Sequence, residues 1–314
     1  MKKVLIATTA LVLSGGIAAA EVTLSGDGRM GMMYDGNDMQ FTSRARVTFT
    51  LTGESDTGLS FGGRFRADQA TNATAGHRGS VYVSGAYGKL TMGDIDSAAE
   101  NAVGDLHGVG LTGLGDRNEL KYLTSDFEYI QSHDYGLPNG NPGALYEYSV
   151  GATTLYASLF DGQALEGRAF GMAISDTGNA WSLGAKHNFG DFTVGAGYER
   201  ATLDNANNLS NWALSGEGRF GDAAVKAVYA RASMSGNDDF RWNQYGISGR
   251  YNAGLTTVTG FWLREDIRNV DDKYDSFGIG AEYDLGGGAA FAAGIVDSDW
   301  NDDVIADMGI KFRF

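Results

Sequence analysis

Residues 41 to 51 read FTSRARVTFTL. Phe41, Ser43, Ala45, Val47, Phe49 and Leu51 share one phase of a two-residue repeat, and Thr42, Arg44, Arg46, Thr48 and Thr50 share the other. Successive Cβ atoms of a strand point to opposite faces, so this segment reads as a strand that is apolar on one side and carries arginines on the other. In VTLSGDGRMGMM (22–33), Val22, Leu24, Met30 and Met32 oppose Thr23, Ser25, Asp27 and Arg29. In LSFGGRFRA (59–67), Leu59, Phe61, Phe65 and Ala67 oppose Ser60, Arg64 and Arg66.

Similar segments at 79–87, 89–95, 144–151, 153–160, 181–189, 191–200, 211–220, 223–233, 241–251, 255–265, 273–284, 288–297 and 304–314 bring the expected total to 16 strands. Turn signals separate them, among them FGD at 189–191 and 220–222, NAG at 252–254 and LGGG at 285–288. Links alternate between tight turns such as GDF and longer polar stretches such as LDNANNLS and EDIRNVDDK. That asymmetry is expected of a transmembrane barrel with short turns on one side and loops on the other. Residues 168–180, RAFGMAISDTGNA, are expected in a long fourth outer loop, because a further strand would make the total odd. Segments 223–233 and 255–265 alternate poorly; a face in subunit contact is one cause of such mixing, and there are others.

The N-terminus MKKVLIATTALVLSGGIAAA has Lys2 and Lys3, an apolar stretch from Val4 to Val12, and small residues at Ala18 and Ala20. This is the pattern of a secretory signal peptide cleaved after Ala20, and its apolar core is too short to span a bilayer. Losing the leader's two lysines takes the formal charge from −15 to −17, which excludes a basic footprint for nucleic acid. With no cysteine, neither a disulfide framework nor a thiolate metal site is available. Only two prolines occur, Pro138 and Pro142, so no proline-rich linker divides residues 21–314, which are expected to form one domain.

No stretch of that domain shows a sustained helical period, so no helices are at hand to cover the apolar face of the sheet. A soluble sandwich would leave the arginines in bulk water, whereas a closed barrel of this size puts lipid outside and an aqueous channel inside. Aromatics near the expected strand ends favour the barrel: Tyr34, Phe41, Phe160, Phe189, Phe192, Tyr198, Trp212, Phe220, Tyr251 and Tyr283. So does the ending MGIKFRF, where Met308, Ile310, Phe312 and Phe314 alternate with Gly309, Lys311 and Arg313.

EVTLSGDGRMGMMY, TGLSFG, GKLTMGD, FGDFTVGAGYE, YDLGGGA and GIKFRF together make the chain similar to the trimeric, 16-stranded general porins of the bacterial outer membrane, above all those of Rhodobacter-type purple photosynthetic bacteria. The resemblance implies an all-β, closed, 16-stranded antiparallel transmembrane β-barrel with a long loop 3 folded into the lumen. It also implies a homotrimer in the outer membrane of a Gram-negative bacterium, surrounded by lipid and lipopolysaccharide and passing small hydrophilic solutes and ions by passive diffusion. A substrate-selective channel is the alternative, and an outer-membrane barrel enzyme a remote one.

Residues 94–142 contain no convincing strand, which calls for a functional loop. They carry nine acids (Asp94, Asp96, Glu100, Asp105, Asp116, Glu119, Asp126, Glu128 and Asp134) against Arg117 and Lys121. Carried over from the resemblance, these carboxylates would face Arg29, Arg44, Arg46, Arg64 and Arg66 across a constriction. All five arginines stand on the polar phase of their strands. Close arginines repel, so acidic partners are expected nearby.

Catalytic signatures are weak: Ser132, His133 and Asp134 are adjacent in sequence, which does not supply triad geometry. DSDWNDD (297–303) starts like a calcium loop with Asp297, Asp299 and Asn301 but has Asp302 where glycine is needed and Met308 where glutamate is needed. It leaves room only for a weak calcium site at Asp297, Asp299, Asn301 and Asp303. No cofactor is required.

Overall fold

The computed structural model describes residues 20–70, 78–123, 143–169, 172–203, 207–268, 272–301 and 303–314. The strands are β1 (Glu21–Tyr34), β2 (Met39–Glu54), β3 (Ser60–Arg66), β4 (Ser80–Gly85), β5 (Gly88–Gly93), β6 (Gly143–Val150), β7 (Thr153–Ala169) and β8 (Met172–Asn188). They continue with β9 (Phe192–Leu203), β10 (Leu209–Phe220), β11 (Ala223–Met234), β12 (Asn237–Ala253), β13 (Thr256–Ile267), β14 (Asp272–Gly286), β15 (Ala289–Ser298) and β16 (Ile305–Arg313). Each pairs antiparallel with its sequence neighbours, and β1 pairs with β16 to close the barrel. Phe314 completes that seam by exchanging backbone hydrogen bonds with Gly26, at 2.6 and 3.0 Å.

Two-residue links such as 221–222 and 254–255 join strands at the end that holds Glu21 and Phe314. Gly221 (φ 63°) and Gly254 (φ 65°) take the left-handed conformation that such tight links require. The other end carries the long connections, including 94–142, within which helix α1 (Ala98–Val103) forms.

Exposure is inverted relative to a water-soluble protein. Leu24, Met30, Phe41, Val81, Leu159, Leu214, Ile247 and Ile279 are exposed, whereas Ser158, Glu199, Asn211, Gln244, Ser248 and Asp307 are buried. The exposed apolar phase of these strands therefore points outward to lipid, and the alternate phase points into the lumen.

One expectation is corrected. Residues 168–169 and 172–180 are not a loop: they belong to β7 and β8, in register from Gln163↔Gly178 to Ala169↔Met172 after an irregularity at Phe160/Gln163. The segment lengthens two existing strands and adds none, so the count stays even. Strand pairing continues there because it still satisfies the backbone after the strands leave the apolar band.

Ile279 lies in the middle of β14 on the outward phase. Ile279→Arg is expected to destabilise the barrel by about 2–4 kcal/mol in urea unfolding from lipid vesicles, while Ser25→Arg on the lumen phase costs little. Equal costs at the two positions would contradict the assignment of faces.

Candidate functional site

Helix α1 lies on the inner wall, and that wall satisfies both its ends. The first residues of a helix have N–H groups without intrahelical partners. Here Ala98 N donates to Ser158 Oγ at 3.0 Å, Ala99 N to Ser182 Oγ at 2.8 Å and Glu100 N to the N-cap Ser97 Oγ at 3.0 Å. At the other end the carbonyls of Asn101 and Val103 accept from Lys186 Nζ at 2.6 Å and Lys226 Nζ at 2.8 Å. A helix C-terminus carries partial negative charge, which suits lysine. Ala98, Ala99, Ala102 and Val103 are buried, and the helix packs against β7 to β10.

Beyond α1 the loop continues along the wall. His107 N donates to Ser248 Oγ at 3.0 Å. Leu111 N and Thr112 N donate to the two carboxylate oxygens of Asp307 at 2.8 and 2.6 Å, and Thr112 Oγ1 adds a third bond at 2.7 Å. Arg29 Nη1 donates to the carbonyls of Leu111 and Thr112 at 3.4 and 3.3 Å. On its return the loop clasps Gln244, which accepts from Lys121 N at 2.7 Å and donates to Lys121 O at 3.1 Å. Leu123 N donates to Glu199 Oε2 at 2.9 Å, where Asn211 Nδ2 also donates. A buried backbone group left without a partner costs about 1–3 kcal/mol, so these wall side chains decide where the loop can lie.

Close approach also requires small residues beneath the loop. A Cβ added to Gly280 would stand 3.0 Å from Val109 Cβ, and one added to Gly294 would stand 2.6 Å from Gly110 Cα. Leu106, Val109, Leu114, Leu120 and Tyr122 pack with Val228, Ala230, Phe261, Leu263 and Val296 of the wall. This accounts for the poor alternation in β11 and β13: their lumen phase is apolar where it packs the loop, which needs no subunit contact.

These fastenings lie on strands from β7 round to β16 and β1, whereas four of the five sequence-predicted arginines stand on β2 and β3. Arg29 and Arg44 are direct cross-strand neighbours, as are Asp27 and Arg46. Arg44 pairs with Asp27 at 2.9 Å, and Arg66 is bidentate to Asp68 at 3.1 and 3.0 Å. Arg46 stands within electrostatic reach of Arg44, Arg66, Asp27 and Asp68, and neither it nor Arg64 has an ion-pair partner within 4.0 Å among the described residues. Arg29 is held by loop carbonyls and lies within reach of Asp116.

Among the loop acids, Asp94 pairs with Arg78 at 3.2 Å and Asp105 Oδ1 accepts from Leu120 N at 2.9 Å. Asp96 and Asp116 are exposed, while Glu100 and Glu119 are half-buried. Asp126, Glu128 and Asp134, like Ser132, His133 and the leader 1–19, lie outside the described residues. Asp297, Asp299, Asn301 and Asp303 do not converge, since among the described residues no three or more acids or histidines gather as metal ligands. Asp299 Oδ2 accepts from Asp275 N and Asn301 Oδ1 from Arg117 Nη2, both at 2.8 Å.

The model of the Gram-negative porin family matches residues 7–303. A porin of Rhodobacter capsulatus is 39% identical, with 94% of this chain and all of that protein covered. A porin of Fuscovulum blasticum is 27% identical at the same coverage. A solved porin structure refined at 1.8 Å superposes with a TM-score of 0.81 at 38% identity, over 94% of this chain and all of its own. An anion-selective porin from Comamonas acidovorans shares the fold, with a TM-score of 0.67 at 14% identity over 94% of this chain and all of its own. The chain belongs to the Gram-negative porin family. It is an outer-membrane channel for passive diffusion and not an enzyme.

Sequence reasoning about this porin missed the residues that seat the loop, and it missed Asp27 and Asp68 as the arginines' partners. Asp27 was legible in principle, because it shares the lumen phase with Arg29 and lies on the strand next to Arg44 and Arg46. In the loop, burial pushes the Asp105 carboxyl up, against the opposing pull of the Leu120 N–H, Lys226 and Lys121. Burial, then Arg250, holds His107 down, so it adds no positive charge to the lumen at neutral pH.

Asp307→Ala removes three bonds to the loop, each worth about 1.5–3 kcal/mol for a charged partner. Single-channel recordings of this variant are expected to show flickering among several conductance levels with the barrel still assembled. A steady current at one unchanged level would mean that Asp307 does not hold the loop.

Proposed function

We propose that the narrow zone of this porin lies between a basic wall (Arg44, Arg46, Arg64 and Arg66, with Arg29 at its edge) and loop 3, which presents Asp96 and Asp116. The observation that carries this reading is the one-sided seating of the loop, which leaves the arginine-bearing strands facing it. Opposed charges across a narrow aqueous gap orient water, and an apolar solute must displace that water while a polar one replaces its bonds. The selection is thus general, by size and polarity.

In this reading the leader 1–20 is removed on export and three copies associate. The association is supported by Met30, Met32, Met39, Phe41 and Met308, which are outward-facing, exposed and apolar up to the outer rim. Lipid and lipopolysaccharide cover the remaining outer surface.

Reconstituted in a planar bilayer, the protein is expected to conduct in steps, with conductance rising linearly with salt. Replacing Arg44 and Arg46 together by Gln should shift ion preference toward cations. Conductance that saturates at low salt would favour a binding channel, and an unchanged preference would place those arginines outside the narrow zone.

A further inference from the structure

The outward face of β8 to β13 departs from the rest of the barrel near its outer end. A belt of rings crosses it. Trp181, Tyr198 and Trp212 stand in series, with centroids 5.4 and 4.5 Å apart. Tyr229 donates to Asn243 at 3.3 Å, and Tyr245 and Trp262 stand 5.8 Å apart. Tyrosine and tryptophan at this level mark the boundary between hydrocarbon and headgroups.

Directly beyond the belt come arginines. Arg200 follows Tyr198 by two residues, Arg231 follows Tyr229 by two, Arg264 follows Trp262 by two, and Arg241 precedes Tyr245 by four on a strand running the other way. Two strand residues span about 6.6 Å, which is the step from the hydrocarbon boundary into the headgroup layer. Phase places all four outward: the alternating positions Glu199, Ala232, Phe240, Trp242, Leu263 and Glu265 are buried on the lumen side.

Arg264 is accounted for, because it forms a bidentate pair with Asp275 at 2.8 and 2.5 Å. Arg200, Arg231 and Arg241 have no side-chain hydrogen bond or ion pair among the described residues, although Asp266, Asp275 and Lys273 stand on the same face of β13 and β14. They are close in the sheet. Arg200 is the cross-strand neighbour of Ser210, Arg231 of Trp212 and Arg241 of Ser233, so the three span four adjacent strands. Three cations that face a membrane without a partner among the described residues are suited to an anion from outside the chain.

We infer that Arg200, Arg231 and Arg241 form a docking site for the phosphate groups of outer-leaflet lipid. Guanidinium groups bind phosphate through paired N–H donors, and their aliphatic stems lie along the aromatic belt. Charge complementarity favours this occupant over a second copy of the chain, whose apolar rim at Met30, Met32 and Phe41 offers nothing to three arginines. The inference rests on the membrane-spanning reading and adds to it where one class of lipid binds.

The test is native mass spectrometry of the intact barrel in detergent, titrated with bisphosphorylated lipid A, with the same lipid dephosphorylated, and with inorganic phosphate as competitor. The wild type should retain the phosphorylated lipid at least about tenfold more tightly than its dephosphorylated form. Arg200→Gln, Arg231→Gln and Arg241→Gln combined should abolish that difference, and the three Lys variants combined should keep most of it. Conductance and ion preference of the triple Gln variant should match the wild type, which shows that it is folded and separates this site from the channel reading. Undiminished preference for the phosphorylated lipid in the Gln variant would overturn the inference. So would displacement by inorganic phosphate at equal concentration, or photo-crosslinking from position 231 to a second copy of the chain.

Discussion

Hydrocarbon offers no hydrogen bond to a peptide group, and a sheet that crosses it must therefore have no free edge. The β1–β16 seam, finished by the exchange between Gly26 and Phe314, meets that constraint. Once the sheet is closed, alternation along each strand sorts residues between two solvents. Leu214 and Ile247 face lipid, while their neighbours Ala213 and Ser248 face the lumen. Arginine on a membrane strand is thereby turned from a liability into a lining.

The same constraint reappears in milder form inside. Loop 3 brings its own backbone groups into the barrel, and at the wall those groups are cut off from water. Ser158, Ser182, Ser248, Gln244, Glu199 and Asp307 receive them, and two lysines take the end of α1. These partners sit on β7 to β16, and Arg29 of β1 adds two further bonds to the loop carbonyls. In the proposed reading this seating is what leaves room on the β2 and β3 side for solutes to pass.

The period-two pattern of FTSRARVTFTL and its counterparts made the strands, their faces and the shared phase of the arginines legible, because each is a local property of the chain. The fastening of the loop was not legible. Its partners lie up to 196 residues away and look like any polar residue on the lumen phase. The mixed patterns in β11 and β13 left two causes open for a related reason, and Val228, Ala230, Phe261 and Leu263 are apolar because they pack against the loop. Residues 168–180 failed on counting: strand length and strand number are separate quantities, and periodicity does not say when a new segment prolongs an old one.

The chain has no cysteine, so a disulfide can report directly on whether loop 3 lies on the inner wall. A Cβ on Gly280 stands 3.0 Å from Val109 Cβ and 2.8 Å from the Ala293 carbonyl oxygen, so the pair is close enough to bridge once the loop backs off by about 0.5–1 Å to the Cβ separation of a disulfide. With Val109→Cys and Gly280→Cys combined, oxidation of the assembled protein in membranes should join the two sites while ion conduction persists. Two free thiols, both open to water-soluble maleimide under the same oxidation, would contradict a loop seated on that wall.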